Sequence, residues 1–125
     1  MIESRIGDKM VGDGHPCFIS MEAGATHTGM ESAKRLVKAA AEAGADAVKF
    51  QTVNAEDLMS EEDVQIAYQT ASGKKSESVR KALQRRELSP DEWRELKAYC
   101  DALGILFIST PSGTETVDLL VSLQA

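Results

Sequence analysis

Imidazoles and thiols are scarce in this chain of 125 residues: two histidines, His15 and His27, and two cysteines, Cys17 and Cys100. Two histidines cannot build a three-His metal centre. Two distant cysteines without a C-x-x-C pair exclude a disulfide framework and a zinc knuckle, and both are read as small, buried apolar side chains. Long apolar runs are also absent. The longest is Ile105, Leu106, Phe107 and Ile108, against the roughly 20 residues of a membrane-crossing helix. Charged residues Glu3, Arg5, Asp8, Lys9 and Asp13 crowd the first positions, with no apolar stretch between them to serve as a secretory signal. A cytoplasmic protein with no membrane partner is expected. Positive charge is in deficit, with 14 Lys and Arg against 20 Asp and Glu and a net charge of −6. Phosphate backbones repel such a chain, so no nucleic-acid partner is expected.

What the chain does have is enough apolar material, 42%, for one ordinary folded domain. Residues 1–16 read as an N-terminal hairpin or arm closed by the turn Gly12-Asp13-Gly14. Residues 17–21 read as a first strand, and the glycine-bounded loop GATHTG (24–29) leads into a helix over 31–43. There Ala33, Leu36, Val37 and Ala40 share one face. Residues 46–52 (DAVKFQT) are the second strand. The long connection 53–88 is expected to hold short helices around 61–71 and 76–86. Ser89-Pro90-Asp91-Glu92 is a strong helix start, with Ser at the N-cap, Pro at N1 and Glu at N3. Trp93, Leu96, Cys100 and Leu103 then line one face. Residues 105–110 are the third strand, and another helix begins at Thr114.

Strands alternating with helices define an α/β protein with a parallel sheet. Three strands are too few for a complete doubly wound sheet or barrel, and DLLVSLQA carries no helix stop signal. The chain is therefore expected to be a truncated part of something larger.

Strand parity places candidate chemistry. Side chains alternate along a strand, and ligands of parallel α/β sheets sit at the carboxyl ends. In the second strand Val48 and Phe50 share the face suited to packing under helices, while Ala47, Lys49 and Gln51 share the other. A lysine in a buried parallel strand needs an anion or a polar cavity; the plainer reading is an edge lysine snorkelling to solvent. Glu22 closes the first strand on the face of Phe18 and Ser20, and Thr110 closes the third on the face of Leu106 and Ile108. Sharper motifs fail: Gly12-Asp13-Gly14 lacks a further glycine for dinucleotide binding, and Gly73-Lys74-Lys75-Ser76 lacks the spacing of a P-loop. The basic cluster Lys74, Lys75, Arg80, Lys81, Arg85 and Arg86 reads as a solvated helix face, with steering of an anionic substrate as the alternative.

With these residues in view, EAGADAVKFQT (42–52), AEDL (55–58) and ELSPDEWRELKAYCDALGILFISTP (87–111) resemble the N-acetylneuraminate (sialic acid) synthase family. The arm and MEAGATHTG (21–29) fall where that family has its hairpin and its A-E-I-G-x-N-H-x-G motif. The resemblance implies a (β/α)₈ TIM barrel of which this chain holds about the first three units: a hairpin over 1–16, then an incomplete barrel domain over 17–125. It also implies condensation of phosphoenolpyruvate with an N-acetylmannosamine-type amino sugar and release of phosphate. A divalent metal, Mn²⁺ or Mg²⁺, is implied with ligands beyond Ala125, and a homodimer in the full-length protein. By position, Glu22 matches the motif glutamate near the reacting phosphoenolpyruvate, and Lys49 the lysine that binds that anion. Gln51 matches the glutamine facing the sugar, and Thr110 the threonine near phosphoenolpyruvate. Two departures fall at the carboxyl ends of strands: Thr26-His27-Thr28-Gly29 lacks the motif's Asn, and Ser112-Gly113 stands where the family usually has Phe-Asp. Two other readings stay open: a barrel aldolase with Lys49 as Schiff-base lysine, and a non-catalytic α/β module that binds an anion or a partner.

Overall fold

The computed structural model describes residues 3–59 and 64–125. Its centre is a parallel sheet in the order β3 (Ser20–Gly24), β4 (Ala47–Thr52), β7 (Leu106–Pro111). Ahead of it, β1 (Ser4–Ile6) and β2 (Lys9–Val11) pair antiparallel as the expected arm. The arm's turn lies against the inner sheet face at its amino end: a Cβ on Gly7 would sit 2.7 Å from Leu106 Cδ2. Lys9 reaches Asp46 at 3.6 Å.

The helices cover one face of the sheet. In α1 (Met30–Glu42) the buried positions are Ala33, Val37 and Ala40, the stripe that the 3.6-residue period specifies. In α4 (Pro90–Ala102) they are Trp93, Leu96 and Cys100. These pack on Val48, Phe50 and Phe107. The aromatic centre is tight, with the Phe50 and Trp93 ring centroids 6.0 Å apart and Phe50 stacked on Phe107 at 5.9 Å. Burial pushes the Cys100 thiol up to about 12, so it stays a protonated, apolar core group.

The start of α4 forms as its sequence specifies. Ser89 Oγ accepts from Glu92 N at 3.2 Å, and Glu92 Oε2 accepts from Ser89 N at 2.7 Å. Ser89→Ala is expected to lower stability by about 1 kcal/mol, seen in urea denaturation as a lower midpoint with an unchanged slope.

Several expectations are corrected. The first strand starts at Ser20 rather than residue 17. Asp46 Oδ2 accepts from Ile19 N, and Ile19 O accepts from Asp46 N and Ala47 N. Residues 17–19 therefore lie below the ladder, and Cys17 is exposed, not buried. The helix expected around 61–71 is a strand where it is described, residues 61–63 lying outside the described residues. β5 (Gln65–Thr70) and β6 (Gly73–Ser78) form an antiparallel hairpin around Ala71-Ser72. The physical reason is a period of two: Ile66 and Tyr68 face one way with Lys75 and Glu77, and Ala67 faces the other. The helix expected over 76–86 shrinks to α3 (Val79–Gln84), capped by Ser78, whose side chain accepts from Lys81 N. The basic cluster is thus split between hairpin and helix. Arg85 is bound to Glu77, and these hydrogen bonds, with one from Tyr68 Oη, draw the Glu77 carboxyl down to about 2.

The remaining helices are the four-residue α2 (Ala55–Leu58) and α5 (Thr114–Ser122). Among the described residues no helix is long and apolar enough to cross a membrane.

Candidate functional site

The inner sheet face, opposite the helices, gathers the polar residues. Strand register decides this: Glu22 pairs with Lys49, Lys49 with Ile108, and Gln51 with Thr110. Aligned residues of neighbouring parallel strands point to the same side. All four candidates therefore share one face, while Val48 and Phe50 face the core with no exposure.

Contact is closest between the first two. Lys49 Nζ donates to Glu22 Oε2 at 2.7 Å. The side chains are 36% and 53% exposed, so the pair contributes at most about 1 kcal/mol to stability. Its significance is placement, since it fixes an ammonium beside a carboxylate midway along β3 and β4 on the inner sheet face. The lysine is less desolvated than a fully buried strand position would make it, because the helices pack on the other face of the sheet.

Gln51 joins the pair through Gly24. The ladder shifts register between Glu22 and Gly24, and Gly24 adopts φ +59°, a left-handed conformation that costs little only without a Cβ. A Cβ there would lie 3.5 Å from Glu22 Oε1 and 3.8 Å from Gln51 Nε2. Glu22 and Gln51 thus flank one small space that glycine keeps open. Thr110 stands on the same face beside Gln51, two residues beyond Ile108, or roughly 6.5 Å nearer the carboxyl end than Lys49. It is exposed, and its pairing with Gln51 is through the backbone ladder.

The rim above β4 and β7 holds an arrangement that single-residue reading missed. Ser112 Oγ donates to Asp57 Oδ2 at 3.1 Å and accepts from Asn54 N at 3.0 Å. A Cβ on Gly113 would fall 2.5 Å from Asp57 Oδ2. The Ser112-Gly113 departure is therefore matched by Asp57, whose carboxylate fills the space a larger residue 113 would need. Gly113→Ala should lower the thermal midpoint, and Asp57→Ala in the same chain should restore most of it. Additive losses in that double-mutant cycle would mean that the two positions do not meet. The only sequence clue was the pair of unusual residues itself.

His27 was singled out only as a motif position. It is 1% exposed, on the helix side of the loop that follows Glu22. Another feature lies on that side: a cleft of about 440 Å³ lined by Thr52, Asn54, Glu87, Ser89, Trp93 and Thr116. None of the four candidates faces it.

Comparison with known proteins identifies the family and the fold. The model of the NeuB family matches residues 36–125. The chain is 40% identical over 118 residues to the N,N'-diacetyllegionaminic acid synthase of Legionella pneumophila, covering 94% of this chain and 33% of that protein. It is 43% identical over 124 residues to the spore coat polysaccharide biosynthesis protein SpsE of Bacillus subtilis, covering 98% and 32%. The crystal structure of N-acetylneuraminic acid (sialic acid) synthetase from Leptospira borgpetersenii, in complex with citrate, superposes with a TM-score of 0.78 at 28% identity. That match covers 98% of this chain and 38% of the other. The chain thus spans about a third of the length of the relatives it matches, and its parallel sheet and helices correspond to the N-terminal part of their barrel.

Proposed function

The chain belongs to the NeuB family, and from that premise we propose that its inner sheet face is one wall of a phosphoenolpyruvate site in a sialic-acid-type synthase. The observation that carries this reading is the Lys49 ammonium 2.7 Å from the Glu22 carboxylate, on the face that also bears Gln51 and Thr110. The reaction joins C3 of phosphoenolpyruvate to the aldehyde carbon of an N-acetylmannosamine-type sugar, whose oxygen takes up a proton. Water adds to the electron-poor C2, its proton passes to a base, and the C2–O bond to phosphate breaks to release inorganic phosphate.

Each residue has a part suited to its chemistry. Lys49 binds the anion through charge-assisted hydrogen bonds, which are about twice as strong as neutral ones. Thr110 adds a hydroxyl donor nearer the carboxyl end. Glu22 stabilises positive charge developing at C2 or takes the proton of the incoming water. Gln51, whose amide both donates and accepts, faces the sugar. Citrate, bound by the Leptospira relative, is likewise a small polyanion.

The implied Mn²⁺ or Mg²⁺ belongs to the same proposal, with its ligands beyond Ala125. Among the described residues no group of three or more His, Cys, Asp or Glu gathers to hold a metal ion, so no step is routed through one. A homodimer belongs to the same proposal for the full-length protein.

Titration with phosphoenolpyruvate, followed by the side-chain NMR signals of Lys49 and Gln51, tests the reading. Saturable shifts of both are expected. Shifts confined to residues lining the cleft by Trp93 would move the anion site to the other side of the sheet. Borohydride reduction in the presence of a carbonyl substrate tests the aldolase reading, and a covalent adduct on Lys49 would replace the synthase assignment with it.

A further inference from the structure

Resting on the reading of Glu22 as a site residue, we propose that His27 is a positioning residue. Its neutral, buried ring pins the β3–α1 loop, and with it Gly24 and Glu22, against the sheet, and it leaves its socket when it takes up a proton.

The loop has few other holds. Among residues 25–29 only His27 is buried. The neighbouring ties are local: Thr26 Oγ1 donates to Ala23 O at 2.8 Å, and Ser32 Oγ accepts from Thr28 N at 2.8 Å. His27 instead reaches the core, where its ring lies edge-on to Phe50 at 5.9 Å and perpendicular to Trp93 at 6.0 Å. Among the described residues neither Nδ1 nor Nε2 has a hydrogen-bond partner. A leucine or phenylalanine would fill such a socket without leaving two polar atoms unmet. What imidazole adds is a charge that can be switched on near neutral pH.

The surroundings oppose that charge. β4 presents Phe50 and α4 presents Trp93, neither ionisable. The charged group acting on His27 is Arg86, a second cation, just after α3. Burial first, and Arg86 second, hold the imidazole below its ordinary value of 6.5. In an opened loop the ring is in water and titrates near that value. The closed loop is therefore fully favoured above 6.5. It loses ground as pH falls below 6.5 towards the lowered value, by up to about tenfold in the opening equilibrium per pH unit. The consequence reaches the site through Gly24, which sits against Glu22 and Gln51.

Amide hydrogen exchange on the 125-residue chain, with protection factors corrected for intrinsic rates, reads the latch directly. From pH 6.5 to 5.5 the protection of residues 24–29 should fall severalfold, by at most about tenfold, while β4 amides hold theirs. The Gln51 side-chain NMR signal should move with the same midpoint. His27→Phe, which keeps a ring in the socket, should leave both flat. Protection that does not change with pH in the unaltered chain, or that changes equally in His27→Phe, overturns the proposal. Should that variant fail to fold, the ring NMR titration of His27 in the unaltered chain decides. A midpoint clearly below 6.5 upholds the latch; one at or above 6.5 ends it. Phosphoenolpyruvate enters none of these measurements, so failure of the anion-site reading leaves each outcome interpretable.

Discussion

Lys49→Ala is expected to weaken phosphoenolpyruvate binding by about a hundredfold, the equivalent of one or two charge-assisted hydrogen bonds. The loss has two parts. The substitution removes the ammonium, and it leaves the Glu22 carboxylate, now without its 2.7 Å partner, facing an incoming anion. Glu22→Gln should act in the opposite direction on binding, because it removes a negative charge that competes for the same ammonium. It should keep affinity or tighten it, while abolishing turnover in a full-length synthase that contains this segment. Calorimetric titration of the two variants checks the pair. Equal losses from both, or none from Lys49→Ala, would place the anion elsewhere. No turnover is expected of the 125-residue chain itself, which covers 33% of the Legionella relative and 32% of the Bacillus one.

Trp93→Ala should cost about 3–5 kcal/mol, a large share of the roughly 5–15 kcal/mol that holds an ordinary domain together. Trp93 is 1% exposed and touches Phe50, Phe107 and His27 with ring centroids near 6.0 Å. Its loss opens a cavity where α4, β4 and β7 meet. Denaturant unfolding followed by circular dichroism measures the effect. A loss below about 1 kcal/mol, typical of an exposed site, would contradict the packing described. Trp93→Phe should retain most of the stability, because a ring still fills the centre.

The core was legible because its signals are local and repeated. The stripe Ala33, Val37 and Ala40, the capping box at Ser89 and the alternation in AVKFQT each determine an element with little help from distant residues. The hairpin at 65–78 was not legible. Its segment is short, mostly polar and exposed, and a short run of mixed residues fits two periods about equally well. Cys17 was misplaced for a related reason. Burial depends on where the ladder begins, and that is decided by Asp46, a residue 29 positions away that ties down Ile19.

Strand parity alone determined that Lys49 and Gln51 share a face, since the alternation of a strand is fixed by backbone geometry. Only the tertiary structure decided that Glu22 lies opposite Lys49, that Gly24 leaves space between Glu22 and Gln51, and that Asp57 occupies the room beside Gly113. Such relations depend on register between segments tens of residues apart, which chain pairing and packing select. The same holds for His27, a loop histidine in the sequence, whose burial against Phe50 and Trp93 becomes visible only in the folded chain.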